Sequence, residues 1–253
     1  MTKLTNKLYL LDMRKLFSAI LIALFGTTAI AQVNDYKLNI GDFNEMTVAN
    51  SINVIYRCNP DSAGIATYSC QKATASAITF TNDRNKLKVE VISDEPLTEL
   101  PTITVYSMSL AEATNWGDST VYVDKIAPTT SFKAKVIGNG KIIVRNLKCT
   151  SAEASVKAGS GNVWLSGQAL KAKYTIMSAG AIEAGNLPAS QVKCIMFGTG
   201  SIDCNALESL NVDGMGSGKV YYKGTPTIKK HVAGVKLVQV GSVNPDAAES
   251  AEE

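Results

Sequence analysis

The chain has 253 residues, with 25 Lys+Arg against 22 Asp+Glu and a single histidine. That near-neutral balance gives no electrostatic case for nucleic-acid binding. Five cysteines without a Cys-x-x-Cys pair, and only His231 beside them, argue against a zinc site, and no metal or cofactor is expected.

At the amino end, Arg14 and Lys15 precede an apolar run of ten residues, 16–25, followed by Gly26-Thr27-Thr28-Ala29-Ile30-Ala31. A basic start, a short apolar middle and small residues before Gln32 form a secretory signal peptide, with cleavage after Ala31. The run is shorter than the roughly 20 residues a permanent transmembrane helix needs. Met13 stands directly before the basic pair and offers a second start. Removing residues 1–31 takes away Lys3, Lys7, Arg14 and Lys15 against Asp12, so the formal charge of +3 falls to zero. The mature chain carries no second long apolar run, and no cysteine follows the cleavage site to hold a lipid anchor. The destination is the periplasm, the outer surface or the medium. Residues 244–253, NPDAAESAEE, read as a disordered acidic tail.

Residues 32–110 are strand-rich but irregular. Apolar and polar residues alternate in Ile52-Asn53-Val54-Ile55-Tyr56 and in Leu87-Lys88-Val89-Glu90-Val91. Asn82-Asp83-Arg84-Asn85 reads as the turn between strands over 77–81 and 86–92. Cys58 and Cys70 flank Asn59-Pro60-Asp61-Ser62-Ala63-Gly64, between strand-like arms 52–57 and 65–69. This suggests a β-hairpin insertion stapled by a Cys58–Cys70 disulfide, which an oxidising compartment permits. The region is read as the first, elaborated rungs of the fold, with a small separate β-domain as the alternative.

Residues 111–243 hold an internal repeat. Turns recur at Gly117-Asp118-Ser119, Gly138-Asn139-Gly140, Gly159-Ser160-Gly161, Ala179-Gly180, Gly198-Thr199-Gly200 and Gly216-Ser217-Gly218, at intervals of 21, 21, 19, 20 and 18 residues. A fading copy follows at Gly234-Val235-Lys236. Periods of this size mean stacked supersecondary units. The leucine-rich consensus is missing and β-branched residues fill the segments, so the fold class is all-β, a right-handed parallel β-helix. Two residues after the turns stand Val121, Ile142, Val163, Ile182, Ile202 and Val220; four after stand Val123, Val144, Leu165, Ala184, Cys204 and Tyr222. Alternation along a strand points both columns inward as stacked ladders, with Tyr222 placed to help cap the carboxyl end.

The third residue after each turn makes an outward column of Tyr122, Ile143, Trp164, Glu183, Asp203 and Tyr221. Aromatic faces beside carboxylates suit a sugar, an apolar stripe suits a protein partner, and an ordinary solenoid surface or one covered by a loop is the plain alternative. Glu183 and Asp203 on neighbouring rungs would also approach the spacing of a retaining glycosidase pair. The arginines Arg57, Arg84 and Arg145 are scattered, however, and no serine-nucleophile elbow or phosphate loop occurs.

Phe43-Asn44-Glu45-Met46-Thr47-Val48-Ala49, Asn85-Lys86-Leu87-Lys88-Val89-Glu90-Val91 and the repeated Gly-Ser-Gly-x-Val turns resemble the putative auto-transporter adhesin, head GIN domain family, over about residues 40–225. The family is common in exported proteins of Bacteroidetes and supplies no catalytic residues. Ser178-Ala179-Gly180 and Gly117-Asp118-Ser119 depart from its Gly-x-Gly rule. The resemblance implies an exported, non-catalytic adhesin-like envelope protein that presents a β-helical surface to a glycan or an envelope protein. A polysaccharide-active lyase or glycoside hydrolase, and a purely structural envelope component, are the alternatives.

Overall fold

The computed structural model describes residues 32–241 apart from 95, 96 and 98. The signal peptide with its cleavage after Ala31, and the acidic tail over 244–253, lie outside the described residues. The described residues from Asn34 to Gly241 belong to one compact unit. It is a β-solenoid of about six turns.

Each turn of the solenoid is made of two strand segments. The long strands β11 (Lys141–Ala158), β12 (Asn162–Ile176), β13 (Ala181–Phe197) and β14 (Ser201–Met215) each bend once, placing the first part in a front sheet and the second in a back sheet. Every one of these neighbours pairs in parallel. β9 (Thr120–Lys125), β15 (Lys219–Lys223) and β17 (Lys236–Gln239) extend the front sheet. β8 (Glu112–Trp116), β10 (Thr129–Ile137) and β16 (Thr227–Ala233) extend the back sheet.

Both forward-counted ladders lie inside. Val121, Ile142, Val163, Ile182, Ile202 and Val220 are fully buried, as are Val123, Ala184 and Cys204. Tyr222 is partly buried against the same core. A second set of ladders, from the back sheet, faces them. Phe132, Ala152, Ala172, Val192 and Leu210 stack in one column, and Ala134, Ala154, Tyr174, Cys194 and Val212 in the next. The bulky Phe132 and Tyr174 stand among small neighbours, Ala152 and Ala172 in one column and Ala154 and Cys194 in the other.

The first turn departs from Gly-x-Gly for a visible reason. Asn115 takes the inward place that Val136 holds one rung later, and Ser119 takes the place of Gly140. Asn115 Nδ2 donates to the Ser119 and Lys141 carbonyls at 2.7 and 3.0 Å, and Ser119 Oγ donates to Asn115 Oδ1 at 3.3 Å. Two buried polar groups thereby satisfy each other at the corner.

The amino-terminal rungs are out of chain order. β2 (Glu45–Ala49) lies between β6 (Lys86–Val91) and β8, and β3 (Val54–Cys58) lies between β7 (Ile103–Ser107) and β9. The rung β6–β7 therefore sits outside the rung β2–β3 that precedes it in sequence. β4 (Ile65–Gln71) then runs antiparallel along β7, and β5 (Ile78–Asp83) antiparallel along β6. Antiparallel strands on both outer edges end the parallel stacking and cover edges that would otherwise invite another chain. β5 and β6 are joined by Arg84-Asn85, both at positive φ, at the turn that the sequence predicts.

The Cys58–Cys70 disulfide is overturned. β3 and β4 do not pair as a hairpin, because β7 lies between them. Cys58 is level with Ser107, whereas continuing the β4–β7 register puts Cys70 level with Pro101. Six residues of strand separate the two, about 20 Å at ~3.3 Å per residue. Both cysteines are buried free thiols, and Cys58 Sγ donates to the Met108 carbonyl at 3.2 Å.

Two buried tyrosines differ in a testable way. Tyr174 is fully buried and its hydroxyl has no hydrogen-bond partner among the described residues. Burial pushes its pKa well above 10. Burial likewise pushes Tyr56 up to about 12, but Ser107 Oγ donates to its hydroxyl at 3.0 Å. Tyr174→Phe is expected to leave stability at pH 7 unchanged or raise it by up to about 1 kcal/mol, while Tyr56→Phe costs about 1 kcal/mol. Because the folded chain holds the tyrosine proton more tightly, stability is intact below pH ~10 and falls above it. Urea unfolding at pH 7 and near pH 11 should show that alkaline loss reduced in Tyr174→Phe. Equal neutral-pH losses in both variants would contradict the assignment.

Candidate functional site

The outward column of the front sheet forms in the expected order. Tyr122, Ile143, Trp164, Glu183, Asp203 and Tyr221 are direct partners on successive rungs. The column continues to Ile55 on one side and to Val238 on the other. Adjacent members are about 4.8 Å apart, the spacing of hydrogen-bonded strands.

The stripe is not a bare aromatic platform. Tyr122, Ile143, Trp164, Asp203 and Tyr221 are half-buried, and only Glu183 is exposed. Lys141 Nζ lies 5.8 Å from the Trp164 ring centroid and Arg145 Cζ lies 5.4 Å from that of Tyr122. Contacts of this kind at open sites contribute about 0.5–1 kcal/mol, little enough for a ligand to displace the cation.

Four members of the column gather around a recess of about 400 Å³: Ile143, Trp164, Glu183 and Asp203. Its rim adds Arg145 and Asn186. These two stand where the strands bend from front to back sheet, and the strand register slips there between Trp164 and Ser166 and between Ala184 and Pro188. The slip bulges the corner outward and turns a flat face into a concave one. Gly185 at this corner leaves room for Asp203, since a Cβ there would collide with its carboxylate.

Asp203 is the most perturbed acid of the site. Burial raises its carboxyl above the usual carboxylate range; Lys223 opposes that rise and the neighbouring Glu183 adds to it. Asp203 Oδ1 is buried without a hydrogen-bond partner among the described residues. A buried acceptor left unpaired in this way costs free energy. Lys223 Nζ donates to the Gly185 carbonyl at 3.5 Å.

Other chemistry is sparse. Among the described residues no group of three or more His, Cys, Asp or Glu side chains gathers as a metal site, and no helix is long and apolar enough to cross a membrane. His231 is exposed on β16, with Nδ1 3.4 Å from Asp213 Oδ1. Cys204 is in the core ladder facing Cys194, whose thiol is pushed well above its ordinary value by a hydrogen bond with Cys204 and by burial.

A parallel solenoid of this kind is a repeat protein, whose stacked turns build an extended rigid surface. Residues 42–226 match the family described as putative auto-transporter adhesin, head GIN domain, and the chain belongs to that family. It is similar to the crystal structure of a putative adhesin from Bacteroides fragilis, with 25% identity and a TM-score of 0.75 over 83% of this chain and 97% of that one. It also resembles in fold a putative adhesin from Parabacteroides distasonis, at 19% identity and a TM-score of 0.68, over 83% and 98% of the two chains. A third likeness, a protein from the same species described as a putative lipid binding protein, has 20% identity and a TM-score of 0.67, with the same coverage. None of the curated proteins matches the chain.

Proposed function

We propose that the chain is an exported, non-catalytic, adhesin-like protein of the cell envelope that binds a glycan in the front-sheet recess. The carrying observation is the grouping of Trp164, Glu183, Asp203, Arg145 and Asn186 around one concavity on a rigid sheet. An indole face covers the C–H side of a pyranose ring, while carboxylates, amide and guanidinium meet its hydroxyls. The family supports adhesion as the broad role. Support for export comes from the signal-peptide pattern before Gln32.

The test is a glycan-array screen of the purified protein beside Trp164→Ala. Selective binding is expected in the wild type and a loss of about tenfold or more in the variant, since stacking on an aromatic contributes on the order of 1–3 kcal/mol. Full binding by Trp164→Ala would remove the recess as the site. A blank array would move the reading to an envelope-protein partner, sought by pull-down on the same two proteins.

A second reading, a polysaccharide-active enzyme, is favoured by the raised carboxyl of Asp203 next to Glu183 on the neighbouring rung. Release of reducing ends from a bound polysaccharide, abolished in Asp203→Asn, would select it over simple binding.

A further inference from the structure

Counting backward from each turn uncovers a second column. The residue just before the turn is Trp116, Ile137, Ala158, Met177, Phe197 and Met215 in six successive rungs. Strand register stacks them: Val136 pairs with Asn115, bringing Ile137 beside Trp116, and Ile137 pairs with Ala158. Ile176 pairs with Met196, bringing Met177 beside Phe197, and Phe197 pairs with Met215. Trp116, Met177, Phe197 and Met215 are 58%, 56%, 46% and 63% exposed. The result is an apolar ridge in two runs, Trp116–Ile137–Ala158 and Met177–Phe197–Met215, along the edge where the back sheet enters the turns; between the runs Val156 pairs with Ile176, which sets Lys157 beside Met177. Six rungs at ~4.8 Å make it about 24 Å long.

Single exposed apolar residues are ordinary on a protein surface, whereas a ridge of this size marks a contact surface. Its surroundings carry both signs with lysine in excess: Glu153 stands between Lys133 and Lys173 in the strand register, and Glu112 is level with Lys133. Lys133, Lys157 and Lys173 lie on the back sheet beside it and form no ion pair among the described residues; Lys135 and Lys193 are held by Glu112 at 2.6 Å and Asp213 at 3.1 Å. On the turn side Lys219, the first residue of β15, is exposed.

We propose that this ridge docks the solenoid lengthwise on the surface of an anionic lipid bilayer. Trp, Phe and Met side chains enter the headgroup boundary, and lysines on both flanks reach lipid phosphates with their long stems laid along the apolar surface. Charge complementarity favours this occupant over a second copy, because two ridges laid together would bring unpaired lysines face to face. It also favours it over a soluble polyanion, which would gain nothing from exposed methionines and phenylalanine. The surface is separate from the Trp164 recess, so either can fail without the other.

The test is co-sedimentation of the purified full chain with phosphatidylcholine vesicles, with and without about 30% phosphatidylglycerol. The variants are Met177→Ser/Phe197→Ser/Met215→Ser and Lys133→Gln/Lys157→Gln/Lys173→Gln, each confirmed folded by an unchanged thermal midpoint. Wild type is expected to bind anionic vesicles well above neutral ones. Each triple variant should bind about tenfold more weakly or worse, and the lysine variant should also lose most of the salt dependence. Equal sedimentation of wild type and the apolar variant overturns the proposal. So does a wild-type dimer that the apolar variant breaks without any vesicle binding, or binding to dextran sulfate but not to vesicles.

Discussion

Gly198→Ala is expected to lower stability by about 3 kcal/mol or more. Gly198 opens a turn at φ +147°, and a Cβ there would run into the Ser178 carbonyl of the rung before it. The obstacle is backbone, and it is fixed by the ladder hydrogen bonds of two neighbouring rungs, so neither side can yield without breaking register. In a solenoid each rung is stabilised through its interfaces with the next, so a displaced corner weakens both interfaces. Gly241 is the control: its φ is +67°, but among the described residues nothing lies within 4 Å of an added Cβ. Gly241→Ala should cost only about 1 kcal/mol, the backbone term alone. Urea unfolding of the two variants separates them, and equal losses would mean that rung stacking does not fix the corner.

Ile142→Ala is expected to cost about 2–5 kcal/mol, and Ile143→Ala, one position on, about 1 kcal/mol or less. Ile142 is fully buried between Val121 and Val163; Ile143 is half-buried on the outer face between Tyr122 and Trp164. A slip of one residue would exchange the two environments, so the ratio of losses reads the register directly. Denaturant unfolding of both variants gives that ratio, and a larger loss at Ile143 would reverse the inside and outside of the front sheet.

The sequence pattern carries the front sheet because each strand there starts at a fixed distance from a glycine corner. Val121 through Val220 fall into register when the turns are aligned, and Tyr122 through Tyr221 fall out on the opposite face. The back sheet was harder to read. Its strands begin after a bend whose length varies, as the intervals of 18–21 residues between turns show. Its ladder of Ala134, Ala154, Tyr174 and Cys194 mixes residue types that no propensity groups together. Counting backward from the turns recovers that register for β8, β10, β12, β13 and β14 but falls one residue out at β11, where Val156 and not Lys157 pairs with Val136 and Ile176.

Non-local pairing explains the remaining misses. Cys58 and Cys70 are close in sequence and flank turn formers, yet the strand between them in space, β7, comes 33 residues after Cys70. Local alternation places β2, β3, β6 and β7 as strands but says nothing of their stacking order. The recess was half legible. Trp164, Glu183 and Asp203 follow from period-2 alternation, whereas Arg145, Gly185 and Asn186 join them only through bulges at the sheet-to-sheet bend.

The glycan site proposed for this chain is the recess around Trp164. The chain has two tryptophans, Trp116 and Trp164, so Trp116→Phe leaves Trp164 as the sole indole. Titrating that variant with the strongest array glycan while recording tryptophan emission tests the claim most directly. A saturable shift in Trp164 emission, with the same Kd as calorimetry on the wild type, is the expected result. Calorimetric binding with an unchanged Trp164 spectrum would place the glycan elsewhere and contradict the account.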